Sequence, residues 1–487
     1  MSRDRGTLSF VLHSHMPYVE GFGTWPFGEE WLWEAIACVY LPLLDLIEET
    51  HAPLTLGLTP VLCDQLEALP GPAGERLLEY LRDTRQWVHE EDAEGLEQAG
   101  ERGLAAEVRR AAADYLRAAD AVEACGRDLL ARLARAATSR PIELWTSSAT
   151  HAVLPLLATD AGLALQLASG IAGHRRRFGG WSGGLWLPEC AYVPGLENAL
   201  GPHGARVFCV DQTVALGQGA DKQLEPVATA AGPVAVPIDW QAVELVWREH
   251  SGFPADPRYR DYHHGTIHHM RPWSNGGGPY SPEAARAATG EHAREFVEHA
   301  VARLDGYSER HGRAGVLCCA LDTELLGHWW YEGLEWLRLV IAEAAEQGLE
   351  LATVSDAVAR VEPVERELAP STWGTGKDFS TWDSPRVAEL AFTARRAELR
   401  TVAAATGGAA SGPALERAAR ELLALQASDW PFQVTRELAS EYPRERVDGH
   451  VAAHDAALGA LADSAAVPEP SLRNLAPDLA LASLAAP

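Results

Sequence analysis

Short apolar runs, each closed by a polar or acidic residue, recur along the chain and predict its architecture. Leu8 to Leu12 (Leu-Ser-Phe-Val-Leu) reads as a first strand that ends at His13-Ser14-His15-Met16-Pro17-Tyr18. Further strands are predicted at Leu54 to Pro60, Ile142 to Thr146, Gly184 to Leu187, Ala205 to Val210, Val234 to Ile238, Gly315 to Leu321 and Leu349 to Val354. Helical periodicity fills the intervals, as in Trp33, Ile36, Val39 and Leu43. Continuously apolar strands that alternate with helices imply a parallel sheet buried on both faces. Residues 70–140 lack strand signals and are rich in Ala, Arg, Glu and Leu, which predicts a helical insertion. From Ser384 to Leu461 the pattern is again helical, broken at Gly407-Gly408 and Gly412-Pro413. The organisation expected is therefore a large α/β unit over 1–365 that includes the insertion, a C-terminal α-helical domain over 366–465, and a loose tail over 466–487.

In such folds chemistry collects at the C-terminal ends of the strands. His13, His151, Glu189, Asp211 and Asp322 all fall there. The stretch Trp186-Leu187-Pro188-Glu189-Cys190-Ala191-Tyr192 sets one carboxylate among aromatic rings, after a glycine-rich turn. Residues 262–280, with His263, His264, His268, His269 and Trp273, read as a long irregular loop forming a lid or rim.

Composition narrows the class. Lys and Arg number 41 and Asp and Glu 68, so the net charge is −27, which disfavours nucleic acid and anionic membrane as partners. A neutral substrate meets no such penalty. The seven cysteines include no C-x-x-C pair, and Cys318 and Cys319 sit in an apolar run, which argues against a disulfide framework or a thiolate zinc site. Neither a signal-peptide pattern nor a membrane-length apolar run is visible, so the expected compartment is the cytoplasm. Sixteen tryptophans against three methionines suggest a ring-lined cleft.

Two carboxylates at strand ends, Glu189 and Asp322, meet the requirement of glycoside cleavage, in which one acid attacks or stabilises the anomeric carbon and the other protonates the leaving oxygen. Glu324, two residues after Asp322, competes for the acid role. Asp322-Thr323-Glu324-Leu325-Leu326-Gly327-His328-Trp329-Trp330 adds a histidine and paired tryptophans, a candidate ligand wall. Two rival classes stand beside this one. His13-Ser14-His15 at the end of a first strand also suits a zinc-dependent amidohydrolase-like site. A non-catalytic glycan binder would keep the tryptophans without needing the acids.

These motifs resemble glycoside hydrolase family 57, and within it the 1,4-alpha-glucan branching enzymes. His13 to Tyr18, Gly57-Leu58-Thr59-Pro60, Trp186 to Tyr192 and Asp322 to Trp330 are similar to four successive regions of that family. Trp25-Pro26-Phe27-Gly28-Glu29-Glu30-Trp31 and the pair Trp373 and Trp382 resemble aromatic subsites of its branching members. The resemblance implies an incomplete (β/α)7 barrel with a helical insertion and a C-terminal α-helical domain, acting on an α-glucan without metal or cofactor. It implies Glu189 as nucleophile and Asp322 as general acid/base. It further implies substrate contacts from His13, His15, His151, Asp211 and His328, and stacking by Trp31, by Trp247 or Trp273, and by Trp373 and Trp382. Branching members carry a loop tyrosine after the nucleophile that keeps water from the intermediate, whereas no tyrosine lies between Tyr192 and Tyr259 here. An α-amylase-type hydrolase or 4-alpha-glucanotransferase of the same family is therefore the alternative.

Overall fold

The computed structural model describes residues 5–248, 250–407, 412–467, 472 and 474–485. Nine strands are described: β1 (Gly6–Ser14), β2 (Thr55–Leu58), β3 (Glu143–Trp145), β4 (Gly184–Leu185), β5 (Val207–Val210), β6 (Val227–Ala228), β7 (Val234–Pro237), β8 (Gly315–Asp322) and β9 (Val364–Glu365). They form two sheets, ordered β3-β2-β1-β8 and β4-β5-β7-β6-β9. Every pairing is parallel except that of β6 with β7.

The sheets meet at both ends. A parallel bridge between Thr146 and Leu185 joins β3 to β4. On the opposite side the Asp239 amide donates to the Cys318 carbonyl at 2.9 Å, linking the end of β7 to β8. The central strands β1 and β8 are apolar and covered on both faces, as the continuous runs predict. Their register sets His13 beside Asp322 and beside Gly57, so three segments distant in sequence finish at one edge. Phe10, Phe296 and Trp336 form a ring cluster beneath that edge.

At β4 the fit is tight. A Cβ on Gly184 would lie 2.0 Å from the ring of the fully buried Trp145, so only glycine lets the strand reach β3. The two strands not foreseen, β6 and β9, are two-residue pieces that extend the second sheet beyond β7. The predicted strand at Leu349 to Val354 is reduced to a single bridge, Leu351 to Leu8, because β2 takes the rest of that edge of β1.

The region 70–140 is helical: Pro72–Glu79, Tyr80–Thr84, Arg85–Gln98, Arg102–Ala124 and Leu129–Ser139. After β9 the chain forms the helices Ala388–Thr406, Pro413–Leu425, Asp429–Thr435 and Tyr442–Asp463 around a separate apolar cluster that includes Leu415, Leu422 and Trp430. Gly408 and part of the predicted tail lie outside the described residues. The described tail is not loose. Leu472, Leu475 and Leu484 are buried in the helical cluster. Asn474 and Ala476 bond the backbone and carboxylate of Asp64, at 2.6 and 2.7 Å. The low information of this Ala- and Leu-rich sequence concealed a few anchoring contacts that only the packed surface defines.

Candidate active site

Strand ends and one helix converge on a cleft of about 650 Å³. Glu189 sits in its wall on a single 3₁₀ turn, Pro188–Cys190, with φ 60° and ψ 19°. Such left-handed backbone is costly for a residue with a Cβ and is held here by its surroundings. The Trp373 amide donates to the Glu189 carbonyl at 2.9 Å. The Trp373 indole donates to Oε2 at 3.0 Å, and the Ser428 hydroxyl to Oε1 at 2.9 Å. The carboxylate is therefore fixed by two donors, one on each oxygen.

Three imidazoles stand behind it. The rings of His15 and His151 stack at 4.0 Å, and that of His13 lies between those of His151 and Trp186, at 4.9 and 4.5 Å. His13 Nε2 meets His151 Nε2 at 2.9 Å, and His151 Nδ1 meets the Ser428 hydroxyl at 2.8 Å. Burial, reinforced by the nearby His15 charge, pushes both His13 and His151 well below the ordinary histidine value, so both are neutral. Because Ser428 gives its proton to Glu189, it must accept from His151 Nδ1–H. His151 Nε2 is then an acceptor and His13 Nε2–H the donor, a relay running from His13 through His151 and Ser428 to the carboxylate. His15 differs. Burial lowers its pKa, but Asp429, bonded to its Nε2 at 2.9 Å, together with the charges of Glu324 and Glu189 outweighs burial and raises it.

Asp322, at the end of β8, opens onto the same cleft. It accepts no hydrogen bond from any described residue. Burial, then the charges of Glu324 and Glu189, drive its pKa well above the ordinary carboxylate value, which favours the protonated form that a general acid needs. Glu189 is raised to about 7, by burial first and against the two donors that lower it. Glu324 is also raised to about 7 by burial, but it is engaged, accepting from the Tyr40 hydroxyl at 2.5 Å and the His15 amide at 3.1 Å. The arrangement thus pairs a clamped carboxylate with an unclamped acid whose proton is held more tightly than usual, in a ring-lined cleft.

The model of glycosyl hydrolase family 57 matches residues 9–370, three quarters of the chain. The chain belongs to glycosyl hydrolase family 57. A second model, the C-terminal region of 1,4-alpha-glucan branching enzymes, matches residues 392–479. The chain is 32% identical to the 1,4-alpha-glucan branching enzyme of Thermococcus kodakarensis, over 91% of this chain and 72% of that one. It is 34% identical to the "Probable 1,4-alpha-glucan branching enzyme" of Mycobacterium tuberculosis, over 94% and 92% of the two chains. The crystal structure of a branching enzyme of this family from Pyrococcus horikoshii superposes with a TM-score of 0.91 at 29% identity, covering 99% of this chain and 97% of that one.

Within this family member, His13, His15, Trp31, His151, Glu189, Trp247, Asp322, His328, Trp373 and Trp382 all border the cleft. Trp31 and Trp247 offer ring surface at its rim, Trp247 with 42% of its area exposed and its edge against Trp329. His328 is lowered to about 4 by burial and by Arg271. Three expectations change. Trp382 is only 2% exposed, packed on Val153 and Ala191 beneath Gly374, so it supports the wall and offers little face for stacking. Trp273 does not reach the cleft. It lies in a small hairpin closed by bridges Arg260 to Ser274 and Trp273 to Pro279, with its ring stacked on His264 at 3.8 Å. Asp211 is buried away from the cleft, where it pairs with Lys377 Nζ at 2.8 Å and caps the Thr213 amide at 2.9 Å. A strand-end acid is as well suited to capping the next turn as to chemistry.

Sequence reasoning missed Ser428 and Asp429. Both begin the short helix Asp429–Thr435, more than 230 residues from Glu189. A Ser-Asp pair at a helix start carries the ordinary capping signal, so nothing local distinguishes them. Trp240 was also missed. It borders the cleft, with Lys377 Nζ 3.0 Å above its ring. The histidine-rich loop proves to be docked on the insertion: Asp92 takes His268 Nδ1 at 2.7 Å, and Met270 packs on Val88 and Val108.

Proposed function

We propose that this chain is a 1,4-alpha-glucan branching enzyme acting by retaining double displacement. The observation that carries the reading is the contrast at the cleft: Glu189 held by Trp373 and Ser428, and Asp322 without a hydrogen bond from any described residue and with its pKa pushed well up by burial. The carboxylate of Glu189 attacks C1 of an α-1,4-linked glucose while Asp322 gives its proton to the departing O4. The glucosyl ester then passes C1 to the 6-hydroxyl of an acceptor chain, whose proton returns to Asp322. Neutral His13 and His151 orient the nucleophile through Ser428, and His15 is fixed at both ring nitrogens, Nδ1 by the Thr59 hydroxyl and Nε2 by Asp429, so that it lines the cleft without a free nitrogen for sugar. Trp31 and Trp247 stack on glucose rings outside the scissile bond. The sequence identities to proteins named as branching enzymes and the match of residues 392–479 support the transferase over the hydrolase.

We read the seven parallel strands β1, β2, β3, β4, β5, β7 and β8 as an incomplete (β/α)7 barrel, supported by the Thr146–Leu185 bridge and the Asp239–Cys318 bond that link the two sheets. The division into a catalytic unit over 1–365 and a C-terminal helical unit over 366–465 is supported by the apolar cluster that the helices after β9 form around Leu415, Leu422 and Trp430.

Hydrolysis of the α-amylase type is the second reading. It is favoured by one observation: no residue from 211–239, the segment after the nucleophile where a covering loop would sit, borders the cleft. Incubation with amylose, counting new α-1,6 linkages against new reducing ends, decides between them. Branch points in excess of reducing ends are expected. Reducing ends without branch points would sink the branching reading.

A further inference from the structure

A second chamber, of about 630 Å³, adjoins the catalytic cleft and is used by nothing described above. The two cavities share a wall of five residues: Phe27, Trp31, Tyr262, His328 and Trp329. The far walls come from elements that take no part in the catalytic site. One face of the helix Arg102–Ala124 contributes Val108, Ala111, Tyr115 and Ala118, spaced so that they line one stripe. The docked loop contributes residues 268–272, and the segment before Trp31 contributes Trp25, which is 59% exposed.

The chemistry of this chamber suits a carbohydrate. Its exposed rings, Trp25 and Trp329, provide stacking faces. Its polar groups are of both signs and sit at fixed points. Arg85 and the hydroxyls of Tyr80 and Tyr115 converge on Glu34. Glu30 lines the chamber half-buried and accepts no hydrogen bond from any described residue, beside the charge of Glu34. A half-buried acid without a partner is costly and calls for a donor. Sugar hydroxyls are such donors, and they are neutral, as a site with Glu30, Glu34, Glu107 and Asp114 requires. The volume lies in the range of ligand-binding cavities.

We propose that this chamber is the acceptor site, in which a second α-glucan chain lies against the helical insertion and presents its 6-hydroxyl to the catalytic cleft through the shared mouth. This rests on the branching reading, since only a transferase needs two chains at once. In the transfer step the ester bond between C1 and the Glu189 oxygen breaks, the bond from C1 to O6 of the acceptor forms, and the O6 proton goes to the Asp322 carboxylate. A chain in the chamber would raise the local concentration of that hydroxyl and fill the mouth against water. The helical insertion, otherwise remote from the acids, thereby acquires a role.

The test is the number of α-1,6 linkages formed per α-1,4 linkage cleaved in amylose, measured for the unaltered enzyme, for Ala111→Trp, which obstructs the chamber, and for Glu30→Ala, which removes the unpartnered acid. This ratio does not depend on how much of a preparation is folded. It is expected to fall at least tenfold in Ala111→Trp and severalfold in Glu30→Ala, with reducing ends rising in exchange. An unchanged ratio in both variants would overturn the proposal and leave the branching reading standing. If the unaltered enzyme makes no branch points, that reading fails instead, and the chamber is then judged by calorimetry of maltoheptaose binding to Glu189→Gln. Two chains bound per protein, reduced to one by Ala111→Trp, support a second glucan site. A single chain in both proteins overturns it.

Discussion

Glu189 is ionised only in part at neutral pH, because burial opposes its charge more strongly than Trp373 and Ser428 favour it. This makes its protonation a measurable property of the free enzyme, and kcat/KM is expected to rise with pH through about 7 and to fall only when Asp322, held far above the carboxylate range, loses its proton. Trp373→Phe keeps the ring and removes the donor to Oε2. The rising limb should move up by about one pH unit, the effect of one charge-assisted hydrogen bond. The same shift affects stability. The folded state binds the Glu189 proton more tightly than the unfolded chain does, so the protein loses stability as pH rises from the ordinary value of 4.5 through about 7. The loss amounts to roughly 3 kcal/mol at most. Glu189→Gln carries no such charge. It should therefore melt several degrees above the unaltered protein at about pH 8 and at the same temperature at about pH 4, while its turnover falls by about a thousandfold or more. Equal melting at both pH values would show that the carboxylate is not destabilised by its site.

At the scale of elements, two short segments do disproportionate work. Strand β4 carries the chain from the glycine-rich turn to Glu189 and is only two residues long. Its closeness to Trp145 leaves no room for a side chain. Gly184→Ala is expected to cost about 2–3 kcal/mol, read as a lower thermal midpoint, and to lower activity as well because the turn at Glu189 follows directly. The helix Asp429–Thr435 is the other. Its first residue holds His15, and Asp429→Asn removes the largest of the negative charges that raise the pKa of this imidazole. The NMR titration of His15 should move below the ordinary histidine value, where burial alone would put it, and kcat should fall about ten- to a hundredfold through loss of orientation. A His15 titration that stays raised would assign the effect to Glu324 and Glu189 instead.

The whole molecule brings a strongly acidic surface to a neutral substrate. With a net charge of −27, electrostatics neither steers nor anchors a glucan, and binding depends on rings and hydroxyl contacts. The KM for amylose should change by no more than about twofold between roughly 50 and 500 mM salt, since stacking and neutral hydrogen bonds are not screened. A steep salt dependence would point to a charged substrate. Assembly also decides completeness. Glu189 stands on the turn that follows β4, Asp322 at the end of β8, and Ser428 and Asp429, which hold Glu189 and His15, at the start of the helix Asp429–Thr435. No contiguous part of the chain holds the whole site.

The two acids, the histidines at the first and third strand ends, and the order of strands, insertion and helices were legible in the amino-acid sequence. Apolar runs with alternating helices state burial directly, and an acid set among tryptophans after a glycine turn is a local arrangement that composition alone makes unusual. Contacts made across the fold were not legible. Ser428 and Asp429 carry only a capping signal, Asp211 was equally suited to capping and to chemistry, and whether Trp273 or Trp382 faces a cleft depends on a neighbouring hairpin and on Gly374. By itself, then, the sequence determined which groups are available and at which strand ends they stand, because periodicity and turn chemistry are local. Only the tertiary structure decided the ionisation of those groups, the relay from His13 to Glu189, and the second chamber beside the first, because burial, charge pairing and cavity shape come from segments hundreds of residues apart.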